Sequence, residues 1–225
     1  IHCTLTGAMS PINKNIENMN VIRNLVLAAT IAAFCSCTVK QNEVTVIEGS
    51  NPISPMGVYI ADPTARVWED GKMYIYGSRD ESLDYYCSKI YHVLSSSDLK
   101  TWELHENSFN YKESLYAPDA WYKDGKYYLY YDIPNGEEFV AVSDSPVGPF
   151  KDGVKIEGPC QIDPNIFIDD DGQAYLYFGN PELRYVLLNE DMISYNQEVG
   201  IVKIPMTEES FNKGSHMTGT SYGEG

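Results

Sequence analysis

A chain of 225 residues with 43% hydrophobic and 12% aromatic content carries enough apolar side chain for a packed domain, which excludes a disordered polypeptide. Asp and Glu number 32 against 16 Lys and Arg, a formal net charge of −16 with no basic cluster, so no nucleic-acid partner is expected because phosphate contacts need grouped cations. The 18 tyrosines, many of them in strand-like runs, favour β structure.

The first 37 residues read as upstream sequence and a leader. Met9 or Met19 is the expected start, which leaves Ile1 to Ala8 upstream. Arg23 supplies one positive charge ahead of an apolar run of 10 residues, Leu25 to Phe34, too short to cross a bilayer. That pattern reads as a secretory signal peptide, and Phe34-Cys35-Ser36-Cys37 resembles a bacterial lipobox with Cys37, or alternatively Cys35, as the lipidated residue. The expectation is export to a bacterial periplasm or cell surface, with lipid-anchored membrane association through Cys37. Only Cys87 and Cys160 then remain in the mature domain, forming one disulfide or none. Residues 38–55 are expected to be a tether, with the two prolines of Asn51-Pro52-Ile53-Ser54-Pro55 marking its end.

From 56 onward one unit recurs. Asp62-Pro63 precede an alternating run that breaks at Gly71 and resumes through Tyr76. Pro118-Asp119 precede Ala120 to Tyr122, a break at Gly125 and a second run to Tyr130. Asp163-Pro164 precede Asn165 to Ile168, a break at Gly172 and a second run to Phe178. Period-2 runs flanking an Asp-Gly breaker predict β-hairpins. A hairpin recurring about every 50 residues, with further strand-like sequence between copies, predicts the blades of a β-propeller. The first blade is predicted from about Val58 to Leu104, with Lys89 to Ser95 as its third strand and Trp102 returning to the core. The second begins near Ala117, with Glu138 to Ser143 as its third strand and Phe150 in the place of Trp102. The third opens at Asp163 and runs through Leu183 to Leu188. Trp68, Trp121, Phe167, Tyr74, Tyr128 and Tyr175 alternate along these strands and are expected in the packing between blades. Glu224 stands where a fourth blade would open.

The motifs Tyr59-Ile60-Ala61-Asp62-Pro63-Thr64, Tyr116-Ala117-Pro118-Asp119, Ile162-Asp163-Pro164-Asn165 through Gly172, Leu188-Asn189-Glu190-Asp191-Met192 and Glu224-Gly225 together resemble glycoside hydrolase family 43. These are the five-bladed arabinofuranosidases, xylosidases and arabinanases. The resemblance covers about residues 52–225 and implies an all-β five-bladed propeller, of which some three blades and the start of a fourth are present. It also implies that the chain is a fragment and inactive in isolation. By the same resemblance the activity is inverting hydrolysis of α-L-arabinofuranosyl or β-D-xylosyl units in plant cell-wall polysaccharide or oligosaccharide. Asp62 would be the general base, Glu224 the general acid, and Asp163 the residue that orients the acid and raises its pKa. Tyr116 stands where many members carry tryptophan, which alters the expected sugar platform.

The chemistry asks for such a set on its own account. Inversion at an anomeric carbon needs one carboxylate to activate water and a protonated carboxyl across the sugar, about 6.5–9.5 Å away. Acids at the starts of successive inner strands converge on a propeller's central channel. A third carboxylate nearby keeps the acid protonated by like-charge repulsion. Tyr59 and Tyr116 are the candidates for stacking on sugar, and Asp119 for shaping the substrate pocket by hydrogen bonding. Two alternatives stay open: a retaining fructan-active hydrolase with Asp62 as nucleophile, and a carbohydrate-binding propeller without catalysis. No cofactor or metal is called for. Asp169, Asp170 and Asp171 read as a solvated turn, His92 and His105 lack companion ligands, and a structural calcium at the propeller axis is left open.

Overall fold

The structure, a computed structural model, describes residues 45–48, 53–54, 57–80, 87–179 and 182–205. Cys37 and Glu224 lie outside the described residues, as does the leader read at 19–37. The described chain is all-β: β1 (Thr45–Glu48), β2 (Tyr59–Val67), β3 (Met73–Asp80), β4 (Ile90–Ser96), β5 (Thr101–Asn110), β6 (Asp119–Lys123), β7 (Lys126–Asp132), β8 (Glu137–Ser143), β9 (Lys151–Cys160), β10 (Asn165–Ile168), β11 (Ala174–Phe178), β12 (Arg184–Leu187) and β13 (Val202–Lys203).

These strands form three antiparallel meanders, which we number as blades. Blade I is β2-β3-β4-β5, blade II is β6-β7-β8-β9 and blade III is β10-β11-β12-β13. The hairpin turns fall at the predicted glycines, Gly71, Gly125 and Gly172, each at positive φ (74°, 81° and 87°), a region open to glycine at little cost. Two boundaries differ from the sequence reading. Thr45–Glu48, inside the stretch read as tether, pairs antiparallel with β5 as a fifth strand on the outer edge of blade I. The last strand of blade I runs on past Leu104 to Asn110.

Strand alternation sends one face of each sheet toward the neighbour before it and the other toward the neighbour after it. Tyr74, Tyr76, Tyr91, Phe109, Leu129 and Tyr131 fill the space between blades I and II. Tyr130, Val140, Ile156, Ile166, Leu176, Phe178 and Met192 fill the next, between blades II and III. Trp102 is buried as predicted, against Leu94 and Leu104 on the far face of blade I, and Phe150 is buried between blades I and II. Phe167 and Tyr175 depart from expectation. They join Tyr177 and Tyr185 in a connected aromatic layer on the face of blade III turned away from blade II, with Phe167 46% exposed. Period 2 places them on a common face but does not say which face meets a neighbour.

The Leu188 to Met192 motif is a latch between blades. Asp191 accepts from the backbone N–H groups of Ile193 and Ser194, both at 3.0 Å, which turns the chain. Met192 is thereby buried, and its carbonyl accepts the Tyr130 hydroxyl of blade II at 2.7 Å. Cys87 is a free, buried thiol. The Asp169 to Gly172 turn closes on itself, Gly172 N–H donating to the Asp169 carbonyl at 2.8 Å and Gln173 N–H to the Asp171 carboxylate at 2.9 Å.

Candidate active site

Asp62 owes its position to a break in the β2–β3 ladder. Ala61 pairs with Ser78 and Thr64 with Tyr76, so Asp62 and Pro63 together stand opposite the single residue Gly77. This is a β-bulge, which frees one strand from the pleat and re-aims its side chain. Asp62 takes φ 45°, a left-handed conformation uncommon outside glycine, and its side chain is exposed. Gly77 is the other half of the device, because a Cβ there would run into the Ile60 side chain and come within 2.9 Å of the Ala61 carbonyl oxygen.

Asp163 repeats the conformation at the mouth of blade III, with φ 63° and Pro164 buried behind it. Its loop is held on both sides. Gly179 N–H donates to the Ile162 carbonyl at 2.8 Å, and Gly136 lies against Gln161 so closely that a Cβ on Gly136 would sit 3.3 Å from Gln161 Cα. Two Asp-Pro aspartates at the starts of inner strands thus share a strained backbone, the kind of departure that collects at functional sites.

Asp119, expected to shape the substrate pocket by hydrogen bonding, turns its carboxylate onto protein donors of other blades. Its side chain is 1% exposed. Its carboxylate accepts from Arg66 Nε at 3.1 Å, from Arg66 Nη2, from Ala120 N–H at 2.7 Å and from Ile166 N–H at 2.8 Å. With its lone pairs met by four protein donors, Asp119 has no capacity left for a sugar hydroxyl. Arg66, which the sequence reading passed over, is the hub of this arrangement. It starts on the inner strand of blade I, pairs with Asp119 on that of blade II, lies 4.9 Å over the Trp121 ring, and donates to the Ile166 carbonyl of blade III at 3.3 Å. Both backbone polar groups of Ile166 are therefore held from other blades, three residues after Asp163. The available signal was an Arg midway along an alternating inner strand, in a chain with only 16 basic residues.

Tyr59 is 60% exposed at the start of β2, open to a ligand. Tyr116 is half-buried, with its backbone N–H donating to the Asp132 carbonyl at 3.3 Å and its carbonyl accepting the Tyr91 hydroxyl. Both stand beside the inner-strand starts, as expected.

Two further carboxyls border the same region. Asp80, paired with Tyr59, has its carboxyl raised by burial and by the charge of Asp62. Asp132 is wholly buried, and burial together with the charge of Asp163 pushes it up to about 8. Burial, then Asp80, Asp62 and Asp132 in that order, pushes the Cys87 thiol up to about 12, so the thiol lies within the field of three of these acids. Asp80 thus lies in the field of Asp62, and Asp132 in that of Asp163. Among the described residues no group of three or more His, Cys, Asp or Glu side chains is arranged to hold a metal ion. His92 Nδ1 accepts Asn107 N–H at 3.0 Å and His105 Nε2 lies 2.8 Å from Ser95 Oγ, both in structural contacts.

Comparison with known proteins gives the arrangement a family. The chain is 42% identical over 144 residues to xylosidase/arabinosidase 43A of Humicola insolens, a match covering 54% of this chain and 44% of that protein. An α-L-arabinofuranosidase from Clostridium thermocellum superposes with a TM-score of 0.55 at 38% identity, over 64% of this chain and 56% of that one. A β-xylosidase/α-arabinofuranosidase from a compost metagenome, in complex with xylotriose and in a calcium-free form, gives a TM-score of 0.54 at 31% identity, over 65% of this chain and 59% of that one. The chain thus spans about half the length of such relatives. The model of the glycosyl hydrolases family 43 matches residues 50–225. The three meanders are blades of a five-bladed propeller, and the chain belongs to glycosyl hydrolases family 43.

Proposed function

We propose that the complete protein hydrolyses α-L-arabinofuranosyl or β-D-xylosyl linkages of plant cell-wall polysaccharide or oligosaccharide with inversion of configuration. Asp62 serves as the general base that activates water. Glu224 gives its proton to the leaving oxygen, and Asp163 orients that acid and keeps it protonated by its nearby charge. The observation that carries this reading is the pair of Asp-Pro aspartates, each in a left-handed backbone at the mouth of an inner strand and each with a second carboxyl in its field, Asp80 for Asp62 and Asp132 for Asp163. Tyr59 at the start of β2 and Tyr116 ahead of β6 supply faces for a sugar ring. The relatives whose names speak of xylosidase and arabinosidase activity support the substrate class.

The test follows hydrolysis of aryl α-L-arabinofuranoside, aryl β-D-xyloside and linear arabinan by the complete protein, with proton NMR reading the anomer released first. The inverted sugar is expected. A retained anomer would make Asp62 a nucleophile and overturn the reading, and absence of release from a folded protein would leave a carbohydrate-binding propeller. The calcium implied by the description of the compost enzyme finds no ligand cluster among this chain's described residues.

Export with lipid attachment at Cys37 belongs to the same proposal, supported by the apolar run 25–34 and the Cys-Ser-Cys that follows. Cys37→Ser is expected to abolish incorporation of labelled palmitate in a bacterial host. Retained incorporation would reassign the anchor to Cys35, and absence of incorporation in the parent would remove it.

A further inference from the structure

The three blades can be overlaid on their turn glycines. Seven residues after Gly71, Gly125 and Gly172 stand Ser78, Asp132 and Gly179 (78 − 71 = 132 − 125 = 179 − 172 = 7). In blades I and III the residue at this place, on or just past the second strand, is small, and an aspartate on or just before the first strand takes a left-handed backbone. Blade II inverts the scheme. Its first-strand aspartate, Asp119, is consumed by Arg66 and Ile166, and the carboxyl at the mouth of the blade comes from the second strand.

Asp132 is 0% exposed, and neither carboxyl oxygen has a hydrogen-bond partner within normal geometry. Its facing is that of Tyr130, two residues earlier, toward blade III. There the turn beyond Asp132 meets the Asp163 loop, main chain against main chain, at Gly136 and Gln161. A buried carboxylate with no cation is costly, whereas a buried carboxylic acid is not, so a site built this way keeps its proton.

We propose that Asp132 is a positioning residue for Asp163: the buried Asp132 carboxyl keeps its proton, so that the charge at the mouth of blade III rests on Asp163 alone. The inference rests on the reading of Asp163 given above. The charges around the pair agree with it. Asp163 on the loop before β10 is the largest charge acting on Asp132 and raises its carboxyl, while the backbone N–H dipoles of Asp163 and of Asp132 itself act the other way. Glu138 stands opposite Asp132 on β8, the Tyr91 hydroxyl and the Cys87 thiol of blade I lie within its field, and Asp62 and Asp80 act on the same thiol. Arg66, the cation of the inner strands described above, is engaged by Asp119. No group in this set offers Asp132 a positive charge, so ionising it would set two carboxylates side by side and displace Asp163.

The consequence is a second proton lost on the alkaline side. In the complete protein, log kcat/KM for the best aryl glycoside is expected to fall with slope −1 as the general acid ionises, then steepen to −2 above about pH 8 as Asp132 follows, with far-UV circular dichroism unchanged. Asp132→Asn, neutral and of the same shape, is expected to lower kcat/KM at pH 6 by roughly 3- to 10-fold through imperfect placement and to hold slope −1 throughout. A parent slope that never exceeds −1, which needs no variant to read, overturns the proposal, as do superimposable parent and Asp132→Asn profiles. Asp163→Asn separates the two failures. If it abolishes turnover while the profiles coincide, only the role of Asp132 falls; if it turns over like the parent, the reading of Asp163 falls and takes this inference with it.

Discussion

Blades I and II begin with the same residue type beside a proline and use it in opposite ways. Asp62 precedes its proline, sits in a bulge opposite Gly77, adopts a left-handed backbone and is exposed. Asp119 follows its proline, sits at the start of regular strand pairing with Tyr130, and is buried beneath Arg66. Side-chain identity therefore does not make a functional acid at the mouth of a blade. What separates the two is whether the backbone leaves the ladder, which turns the carboxyl out, or stays in it, which turns the carboxyl into the neighbouring blade.

The difference is broken most directly by removing each acid. Asp62→Asn in the complete protein is expected to lower kcat by about 10²–10⁴-fold, the usual span for a general base, with an unchanged urea midpoint; wild-type turnover would end its candidacy. Asp119→Ala should do the reverse and act first on folding. It strands the Arg66 guanidinium and the Ile166 N–H in a partly buried setting, at a cost of about 3–5 kcal/mol, read as a lower urea midpoint. A loss of activity without loss of stability would return Asp119 to the substrate pocket.

Gly77→Ala sharpens the comparison from the backbone side. The new methyl meets Ile60 and the Ala61 carbonyl, so the bulge must shift at a cost of about 1–3 kcal/mol, and kcat should fall with Asp62 displaced. The pH dependence of stability probes the carboxyl that blade II does present. Asp132 lies above its unfolded value, near 3.9, at about 8 in the folded chain. The stability it contributes is therefore complete below about pH 4 and is lost as pH rises through about 8. Asp132→Asn should flatten that decline in urea midpoints measured from pH 4 to 9, whereas parallel curves would show that the carboxyl is not held protonated. The smallest effect is expected at the exposed Lys126–Asp144 pair of blade II, where Lys126→Ala should leave the midpoint unchanged.

The repeat was legible because its signals are local. Alternation around Gly71, Gly125 and Gly172 depends only on the pleat and on glycine's freedom at positive φ, so the hairpins fall where the sequence puts them. Asp62 and Asp163 were legible for a related reason, as each shares a short motif with a proline at its side. Less was visible wherever an outcome depends on what meets a face. Phe167 and Tyr175 alternate as core residues do, but the neighbour that decides burial lies elsewhere in the chain. Thr45–Glu48 carries no pattern longer than its four residues, and its partner strand is about 55 residues away.

The amino-acid sequence by itself determined the all-β repeat, the hairpin turns and the two Asp-Pro aspartates, because short-range sterics and alternation fix them within a dozen residues. Tertiary structure alone decided that Arg66 ties three inner strands together, that Asp119 is spent on that tie, and that Asp132 comes to rest against the loop of Asp163. Each of those outcomes joins residues about 30 to 100 positions apart. Their energies arise from burial and from charges brought together across blade boundaries, terms that no local window of sequence contains.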